Sequence, residues 1–487
     1  MRFEDMPWAP GGEGRLGHNG AFRRDRIGTL RKMCLAPYPM MRLKLPVPGV
    51  RALVANEPDI VQEILVENAK SFEKSAMLRF SLWNLAGEGL FTSNGDLWKR
   101  QRKLLAPLFT PRALEAYAGD MIECAERTVA TWRDGEELHL AEETTRLTMG
   151  VAGKTLFGAD TFSDADEIGA ALTTALEWTG WIIGRPLAIS HVVARRLLLR
   201  AAARFPSQRA RIEAFADRFE GPVALVGKRG RGLAEAIAFL DAHVQSMIDE
   251  RRRLGSKARS DLLTRLLEAR DEDGNPMSDK QVRDEVLTLF VAGHETTATG
   301  LAWTLYHACK TPSVYAALER EVDAVGDNPK ASDLPRLDLC LRAFKEGLRI
   351  APPVYMFGRD STEPVNIAGY DLPAPTNTMV SPFVLHHTER LWPNPERFDP
   401  DRFTPAVEAR RHRYAYLPFG AGPRICLGNH FAYMEAQLAL SVLLRRYRFE
   451  LLGEDEPMPS ATLRPRHGIR VRVRRRIHAV TTASAIG

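Results

Sequence analysis

The sequence is most specific over residues 419–428, which read Phe419-Gly420-Ala421-Gly422-Pro423-Arg424-Ile425-Cys426-Leu427-Gly428. Three glycines among ten residues let the backbone turn tightly and approach a flat ligand closely, because glycine has no Cβ. The residues that follow predict a helix, whose first backbone N–H groups would point at the sulfur of Cys426 and stabilise negative charge. A lone buried cysteine is usually a small hydrophobic residue, but the pattern around Cys426 argues against that interpretation.

A second unusual stretch interrupts a long predicted helix. Ser278 and Gln281 form a capping-box pattern, and the helical pattern runs from there to about Lys310. Residues 286–292 are apolar nearly all round, as in a buried helix. Residues 293–299 then read Gly-His-Glu-Thr-Thr-Ala-Thr, which places weak helix formers and a carboxylate in the helix interior. Local rules that fail together indicate a functional site, although a surface kink remains the alternative.

Both stretches resemble motifs of the cytochrome P-450 superfamily, the haem-thiolate monooxygenases. Residues 419–428 fit F-G-x-G-x-R-x-C-x-G at all fixed positions, and residues 292–297 fit A/G-G-x-D/E-T-T/S. Five motifs occur in family order between about residues 37 and 476, as in a soluble bacterial-type member. The resemblance implies a mainly α fold with small β-sheets, an α+β class in which the catalytic domain is built around haem.

The first motif implies three roles on the cysteine side of the haem. Cys426 would be the axial thiolate ligand of haem b, and so the metal ligand. Arg424 is suited to pair with a haem propionate, because a guanidinium forms charge-assisted hydrogen bonds with carboxylates. Phe419 would pack against the sulfur side and keep water out.

The second motif implies two catalytic residues on the opposite side of the haem. Thr296 would hydrogen-bond dioxygen at the iron, and Glu295 would relay protons from solvent. A distorted helical turn would leave room for dioxygen and a water. Both side chains suit the chemistry, since two protons must arrive before the O–O bond breaks.

Three more residues resemble the family's propionate contacts. Trp98 and Arg102 lie four apart on a predicted helix and match W-x-x-x-R. An indole N–H and an arginine fork both have a use beside two carboxylates. Arg359 is a further candidate by position. For Trp98 alone, ordinary core packing is the competing interpretation.

Another motif predicts a structural network rather than a catalytic one. Glu346 and Arg349 lie at i and i+3 on one helix face and resemble the family's E-x-x-R. Arg402, in a stretch that looks like the family's meander, would be the third member, and Arg397 is a less suitable substitute. An exposed ion pair is the alternative when Glu346 and Arg349 are considered alone.

The pattern along the chain predicts one helix-rich domain over residues 37–487, preceded by a loose tail over residues 1–36. Residues 42–45 and 51–54 flank a Pro/Gly turn and predict a β-hairpin. Alternation of apolar residues with arginines over residues 469–474 predicts a closing strand. Its arginines could bind phosphates, but no stacking aromatic accompanies them, so we expect a solvated strand face and no nucleic-acid partner.

Composition bounds the class of protein. The chain has 487 residues, of which 45% are hydrophobic, and a net charge of +6. These values exclude a disordered or collagen-like chain. Five scattered cysteines make a disulfide framework improbable and favour a reducing compartment. We find neither an export segment nor about 20 consecutive apolar residues for a membrane anchor, so the prediction is a cytoplasmic protein.

The resemblance implies a reaction and its partners. One atom of dioxygen would enter an unactivated bond of a hydrophobic small molecule, such as a fatty acid, terpenoid, steroid or aromatic compound. Only 61 residues follow Cys426, too few for a fused flavin domain. A separate ferredoxin with its reductase, or a flavoprotein, is therefore expected to supply electrons to a monomer. Two alternatives stay open: a haem-thiolate enzyme that uses peroxide or isomerises its substrate, and a haem sensor without enzymatic activity.

Two groups of residues are assigned by position alone. Basic residues on the helix that carries Trp98 could dock an acidic electron donor or form a solvated face: Lys99, Arg100 and Lys103. Apolar residues in the expected pocket loops favour a hydrophobic substrate as a group, although each alone is more typical of core: Phe80, Leu82, Trp83, Leu85, Trp178, Trp181, Ile182, Val354 and Met356.

Overall fold

Helices dominate the structure, a computed structural model that describes residues 1–47, 49–158, 165–183, 185–216, 219, 227–255, 261–270 and 274–477. This confirms the prediction of a mainly α protein with small sheets. The α-helices are α1 (Gly17–Arg24), α2 (Arg26–Cys34), α3 (Pro58–Gln62), α4 (Ala76–Ala86), α5 (Gly95–Leu105), α6 (Pro111–Ala130), α7 (Leu140–Phe157), α8 (Ala165–Ile182), α9 (Pro186–Arg204), α10 (Arg209–Ala216), α11 (Gly227–Leu254), α12 (Leu262–Glu268), α13 (Asp279–Cys309), α14 (Pro312–Val325), α15 (Asp338–Ile350), α16 (Pro382–His387), α17 (Pro405–Glu408) and α18 (Asn429–Arg446).

The strands form small sheets at the margins of the helices. They are β1 (Met40–Arg42), β2 (Arg51–Ala55), β3 (Phe72–Lys74), β4 (Glu137–His139), β5 (Phe357–Ser361), β6 (Val365–Ile367), β7 (Tyr370–Leu372), β8 (Thr376–Val380), β9 (Tyr447–Leu451), β10 (Pro457–Pro459), β11 (Leu463–Pro465) and β12 (Arg470–Arg475). Their orders are β1-β2-β8-β5-β3, β4-β12-β9, β6-β7 and β10-β11.

Helix α13 is the predicted long helix. The side chain of Ser278 accepts a hydrogen bond from the backbone N–H of Gln281, which confirms the predicted start. Its 31 residues make it about 46 Å long at 1.5 Å per residue. Helices α4, α7, α11, α15 and α18 all pack against it. Because these helices surround α13, its apolar residues are buried on nearly all sides. The polar residues in its middle therefore also lie in the interior of the protein.

The five-stranded sheet joins distant parts of the chain. The predicted hairpin is confirmed as the antiparallel pair β1–β2, with Met41 opposite Val54. Strand β2 also pairs in parallel with β8, and β8 pairs with β5, which in turn pairs with β3. In this last pair Lys74 lies directly opposite Arg359. Like charges opposite each other destabilise a sheet, so this pair calls for a local explanation.

The predicted closing strand is confirmed as β12. Val471 and Val473 are fully buried and alternate with arginines on the outer face. Arg472 donates to Glu137 at 2.6 Å, and Arg474 contacts Glu450 at 3.4 Å. These arginines therefore pair with carboxylates of the neighbouring strands.

The prediction of a loose tail over residues 1–36 is wrong. Helices α1 and α2 occupy much of this segment, and Met6 and Leu30 are fully buried. The buried ring of His18 accepts a hydrogen bond from the backbone N–H of Lys44 at 2.8 Å. The segment is ordered because its scattered apolar side chains complete the core beside β1 and β2. Glycines and arginines concealed this pattern in the sequence.

Candidate active site

The cysteine loop is a tight turn that the glycines make feasible. The backbone N–H of Cys426 donates to the carbonyl oxygen of Phe419 at 2.9 Å and so closes the loop. Gly420 and Gly422 have φ angles of 68° and 69°, in the left-handed region that disfavours side chains. A Cβ on Gly422 would lie 1.8 Å from the carbonyl oxygen of Leu65. The loop cannot keep this path with any other residue at position 422.

The sulfur of Cys426 differs from the other thiols of the chain. All five cysteines are free, and only Cys426 is exposed. Burial raises the pKa of Cys34, Cys124 and Cys309 to about 12. Burial also raises the pKa of Cys426, but a hydrogen bond from the backbone of Gly428 and the charge of Arg102 act in the opposite direction. Cys426 is thus the exposed cysteine residue, at a place that supplies partners for a thiolate.

Phe419 and α18 hold this loop from both sides. The Phe419 ring packs edge-on against Tyr433 with ring centres 5.1 Å apart. Gly428 is the N-cap of α18, so the first turn of that helix follows Cys426 directly. The predicted helix start behind the sulfur is confirmed.

The predicted propionate contacts come together around one indole ring. The guanidinium carbon of Arg424 lies 4.4 Å from the ring centre of Trp98, and that of Arg102 lies 5.9 Å from it. Burial lowers the pKa of Arg359 to about 10, and the positive charge of Arg424 contributes to this shift because the two residues lie close together. The structure therefore places Trp98, Arg102, Arg359 and Arg424 in one cluster.

Lys74 is a member of this cluster that sequence reasoning missed. Its ammonium lies 5.9 Å from the ring centre of Trp98 and donates to the carbonyl oxygens of Leu90 and Ser93, both at 2.7 Å. Burial, followed by the charges of Arg424 and Arg359, lowers the pKa of Lys74 to about 6. In the sequence, the only signal is a lysine in a short strand, which does not indicate a site. The pairing of β3 with β5 is what shows that Lys74 lies opposite Arg359.

One face of α13 opens in the middle of an otherwise buried helix. Ala292, Gly293 and Thr296 are partly exposed, whereas His294, Glu295 and Thr297 are buried. The Thr296 hydroxyl donates to the carbonyl oxygen of Ala292 at 2.7 Å. The helix nevertheless stays α-helical through this stretch, so the expected distorted turn is not seen. Small side chains, rather than a break in the helix, make room on this face.

The carboxylate of Glu295 is directed away from this open face. One of its oxygens accepts hydrogen bonds from the Thr462 hydroxyl at 2.7 Å and from Arg464 Nε at 2.5 Å. Burial alone would raise its pKa. The charge of Arg464, assisted by His294 and by both hydrogen bonds, outweighs burial, and the net effect is a lowered pKa. Glu295 is therefore an ionised carboxylate in the protein interior, held by a strand more than 160 residues later in the chain.

The predicted structural network is present. Arg349 donates two hydrogen bonds to the Glu346 carboxylate, from Nε at 2.7 Å and from Nη2 at 2.8 Å. Neither side chain is accessible to solvent. Arg402 Nε lies 3.4 Å from the same carboxylate, which confirms Arg402 as the third member. Arg397 contributes only its carbonyl oxygen, which accepts from Arg349 at 3.3 Å. The network joins α15 to the segment before the cysteine loop.

The comparisons with known proteins agree with this arrangement. The family model for cytochrome P-450 matches residues 23–472. The chain belongs to the cytochrome P-450 family. It is 31% identical to cyclooctatin synthase of Streptomyces melanosporofaciens, over 94% of this chain and 92% of that protein. It is 30% identical to pentalenene oxygenase of Streptomyces avermitilis, with 89% of each chain covered.

Solved structures show the same relationship. The crystal structure of the cytochrome P-450DA haem domain matches with a TM-score of 0.78 and 28% identity, over 97% of this chain and 98% of that one.

The present cytochrome P-450 is a haem-thiolate monooxygenase, with haem bound through a cysteine thiolate. In the described part of the chain, no helix combines the length and the apolar character that a membrane crossing requires.

The residues present fit a haem. Arg424 Nη1 is buried and has no hydrogen-bond partner among the described residues. Arg359 adds a further guanidinium to the same place, and Lys74, whose pKa is lowered by burial and by these charges, lies opposite it on the sheet. Such a concentration of positive charge is costly unless carboxylates neutralise it. The two propionates of haem would do so, and the exposed residue Cys426 would supply a sulfur to the iron.

The residues expected around the substrate divide into two groups. Phe80, Leu82, Leu85, Trp178 and Ile182 are buried in the main core. The others keep some exposure: Trp83, Trp181, Val354 and Met356. Trp181 is covered by the guanidinium group of Arg185 at 4.6 Å. Most of these side chains thus pack as core, as expected for each of them singly.

Proposed function

We propose that the sulfur of Cys426 would bind the haem iron in this cytochrome P-450. The observation that carries the proposal is an exposed cysteine residue, Cys426, in a glycine-dependent loop before α18, where the charge of Arg102 favours a thiolate. A thiolate ligand gives the iron the electron density that favours O–O cleavage. Phe419 holds the loop closed through its carbonyl oxygen and covers one side with its ring.

We assign the propionate contacts to the cation cluster around Trp98. Arg102, Arg359 and Arg424 were expected there from the sequence, and Lys74 joins them on the geometry of β3 and β5. Charge-assisted hydrogen bonds to propionates would satisfy the buried Arg424 Nη1 and lower the mutual repulsion of these cations.

Replacing Arg424 by glutamine should weaken haem binding. A hydrogen bond to a charged group contributes about 1.5–3 kcal/mol, which corresponds to roughly a 10- to 150-fold increase in the haem dissociation constant. The measurement is haem transfer to apomyoglobin, followed by absorbance. Arg413→Gln is the control, because Arg413 is exposed and lies against Tyr414. Equal haem loss from both variants would remove Arg424 from this role.

The open face of α13 is the place where we expect protons to be delivered. Thr296 has a hydroxyl on this face that can donate or accept, and its present acceptor is a carbonyl of its own helix. Glu295, on the adjacent side of the helix, is the ionised group able to take up a proton and pass it on. Thr296 is proposed to position the protons that dioxygen reduction consumes, and Glu295 to supply them.

Replacing Thr296 by alanine should retain haem and divert electrons to peroxide. Well-placed proton donors contribute about 10²–10⁴ in rate, and water replaces them only partly, so we expect product per NAD(P)H to fall by tenfold or more. Product and hydrogen peroxide are measured together, with a surrogate ferredoxin and ferredoxin reductase as donors. The control is Thr304→Ala, which removes a hydroxyl with the same 2.7 Å bond to the carbonyl four residues back. Unchanged coupling in Thr296→Ala would exclude the assigned role.

The substrate is proposed to be a hydrophobic small molecule. The family implies an apolar substrate in general, and one relative is named for the oxygenation of pentalenene. A spectral titration with pentalenene, a fatty acid, a steroid and a small aromatic compound would identify the class, since a ligand that displaces distal water changes the iron spin state. A titration without any spin-state change for all four classes would contradict an apolar substrate.

We propose that electrons come from a separate acidic protein that docks on α5. Lys99, Arg100 and Lys103 are exposed on this helix, although Lys99 also pairs with Asp96 at 2.8 Å. We further propose a monomeric protein with one haem domain that works in the cytoplasm, where its five free cysteines stay reduced. A reduction rate that is independent of ionic strength would contradict docking by charge.

A further inference from the structure

One arginine lies between the buried acid of the active site and an acid on the surface. Arg464 Nε is 2.5 Å from Glu295, and Arg464 Nη1 is 3.7 Å from Glu177 on α8. Glu295 is 5% exposed and Glu177 is 58% exposed. The remaining nitrogen, Nη2, is buried and has no hydrogen-bond partner among the described residues. The guanidinium is therefore shared between two carboxylates and is not fully satisfied in this arrangement.

The backbone that carries Arg464 is fixed on several sides. The Trp303 indole donates to the carbonyl oxygen of Leu463 at 2.9 Å, and the Leu463 N–H donates to Pro353 at 3.0 Å. In the turn of the hairpin, the Tyr355 hydroxyl donates to the carbonyl oxygen of Ser460 at 2.8 Å. Any change in the partner of Arg464 must accordingly come from its long side chain, because the strand itself is held.

Helix α8 is close enough to take part. A Cβ on Gly180 would lie 2.7 Å from the backbone nitrogen of Ala461 and equally near the hydroxyl of Ser460. The absence of a side chain at position 180 lets α8 lie directly on the hairpin. Glu177 precedes Gly180 by three residues and so shares its helix face. The contact at Gly180 thus places Glu177 beside Arg464.

We propose that Arg464 is a positioning residue that holds Glu295 in its ionised, inactive arrangement and releases it by turning to Glu177. The proposal rests on the assignment of Glu295 as the proton carrier. With Arg464 on Glu177, Glu295 takes up a proton supplied by the solvent, becomes a neutral acid and can pass that proton to the open face of α13. With Arg464 back on Glu295, the carboxylate is ionised again. The groups that face this exchange are the charged Arg464 and Glu177 and the buried His294, whose pKa burial lowers.

The test is a pH titration of the Glu295 carboxyl by infrared difference spectroscopy on the haem-bound protein. The band is assigned by its loss in Glu295→Gln. In Arg464→Gln the charge of the arginine is lost, while burial, His294 and the hydrogen bond from Thr462 still act on the carboxyl. Its midpoint should therefore rise by about one pH unit or more, the size of a nearby-charge effect. In Glu177→Gln, Arg464 has lost its second partner, and the midpoint should fall below that of the wild type.

The control is Arg466→Gln, which removes an exposed arginine two residues later that pairs with Glu456 at 2.7 Å. Its titration should match the wild type. Arg464→Lys keeps the charge and serves if Arg464→Gln fails to fold; it should keep the midpoint near that of the wild type. An unchanged midpoint in Arg464→Gln would overturn the proposal, and an unchanged midpoint in Glu177→Gln would overturn the exchange between two carboxylates.

This readout separates the proposal from the assigned function of Glu295. The infrared midpoint reports whether Arg464 and Glu177 control the ionisation of Glu295, with no turnover required. Product formed per NAD(P)H in Glu295→Gln reports whether that carboxyl carries protons. Suppose that Glu295→Gln forms as much product per NAD(P)H as the wild type, while Arg464→Gln shifts the infrared midpoint. Glu295 then does not carry protons, but the control of its ionisation by Arg464 stands.

Discussion

Replacing Cys426 by alanine should abolish monooxygenation and remove the thiolate signature from the spectrum of the reduced, carbon monoxide-bound protein. Among the cysteines that the structure describes, Cys426 alone is exposed, and its loop is closed by a backbone hydrogen bond that does not involve the side chain. Alanine therefore leaves the loop intact and removes only the ligand. Without a thiolate, the iron loses the electron donation that favours O–O cleavage.

The measurement is the carbon monoxide difference spectrum together with product formation. The matched control is Cys34→Ala, because Cys34 is half-buried, donates only to a carbonyl of its own helix and has a pKa raised to about 12 by burial. This control should keep both the spectrum and the activity. A thiolate spectrum that survives in Cys426→Ala would show that another residue binds the iron, and the whole assignment of the site would fail.

The sequence predicts those parts of the site whose residues are close together along the chain. The glycines of residues 419–428 identify a turn that only they can form, and Gly422 confirms this at the carbonyl of Leu65. The sequence also predicts the long helix, because Ser278 caps its start and its centre is apolar. In both cases neighbouring residues carry the signal, so no knowledge of tertiary contacts is needed.

The sequence does not predict the contacts between segments that are far apart along the chain. Lys74 becomes a member of the cation cluster only because β3 pairs with β5 and brings it opposite Arg359. Arg464 reaches Glu295 across 169 positions of sequence, from a hairpin with an ordinary composition. The order β1-β2-β8-β5-β3 likewise follows no pattern in the chain. Such groups reveal their role through a shared location, which is a property of the folded state.

The error over residues 1–36 has a similar cause. Helices α1 and α2 carry several arginines, and in the sequence alone this polar character favours a loose tail. Met6, Leu30 and Met33 are nevertheless fully buried. A few apolar side chains on short helices are enough to fix a segment when a sheet edge is available beside it. The charge of the exposed faces says little about the buried ones.

Replacing Glu346 by glutamine should cost the largest share of stability of any single substitution discussed. Glu346 and Arg349 are both fully buried, and Arg402 is 3.4 Å from the same carboxylate. Loss of one partner from a buried pair leaves an uncompensated charge and costs about 3–5 kcal/mol. Since the total free energy of unfolding is about 5–15 kcal/mol, the variant should lose a third of it or more. Urea unfolding of the haem-bound protein, followed by circular dichroism and haem absorbance, measures the loss.

The control for this substitution is Glu408→Gln. Glu408 accepts from Lys345 at 3.0 Å but is 39% exposed, and pairs of this kind contribute about 0–1 kcal/mol. A loss of less than about 1 kcal/mol in Glu346→Gln would show that the buried network does not stabilise the fold, since it would equal an exposed pair. The double variant Glu346→Leu/Arg349→Met distinguishes charge from contact. If the penalty comes from the unpaired arginine, removing both charges should recover part of the stability lost in Glu346→Gln, because apolar replacements of buried ion pairs are often neutral.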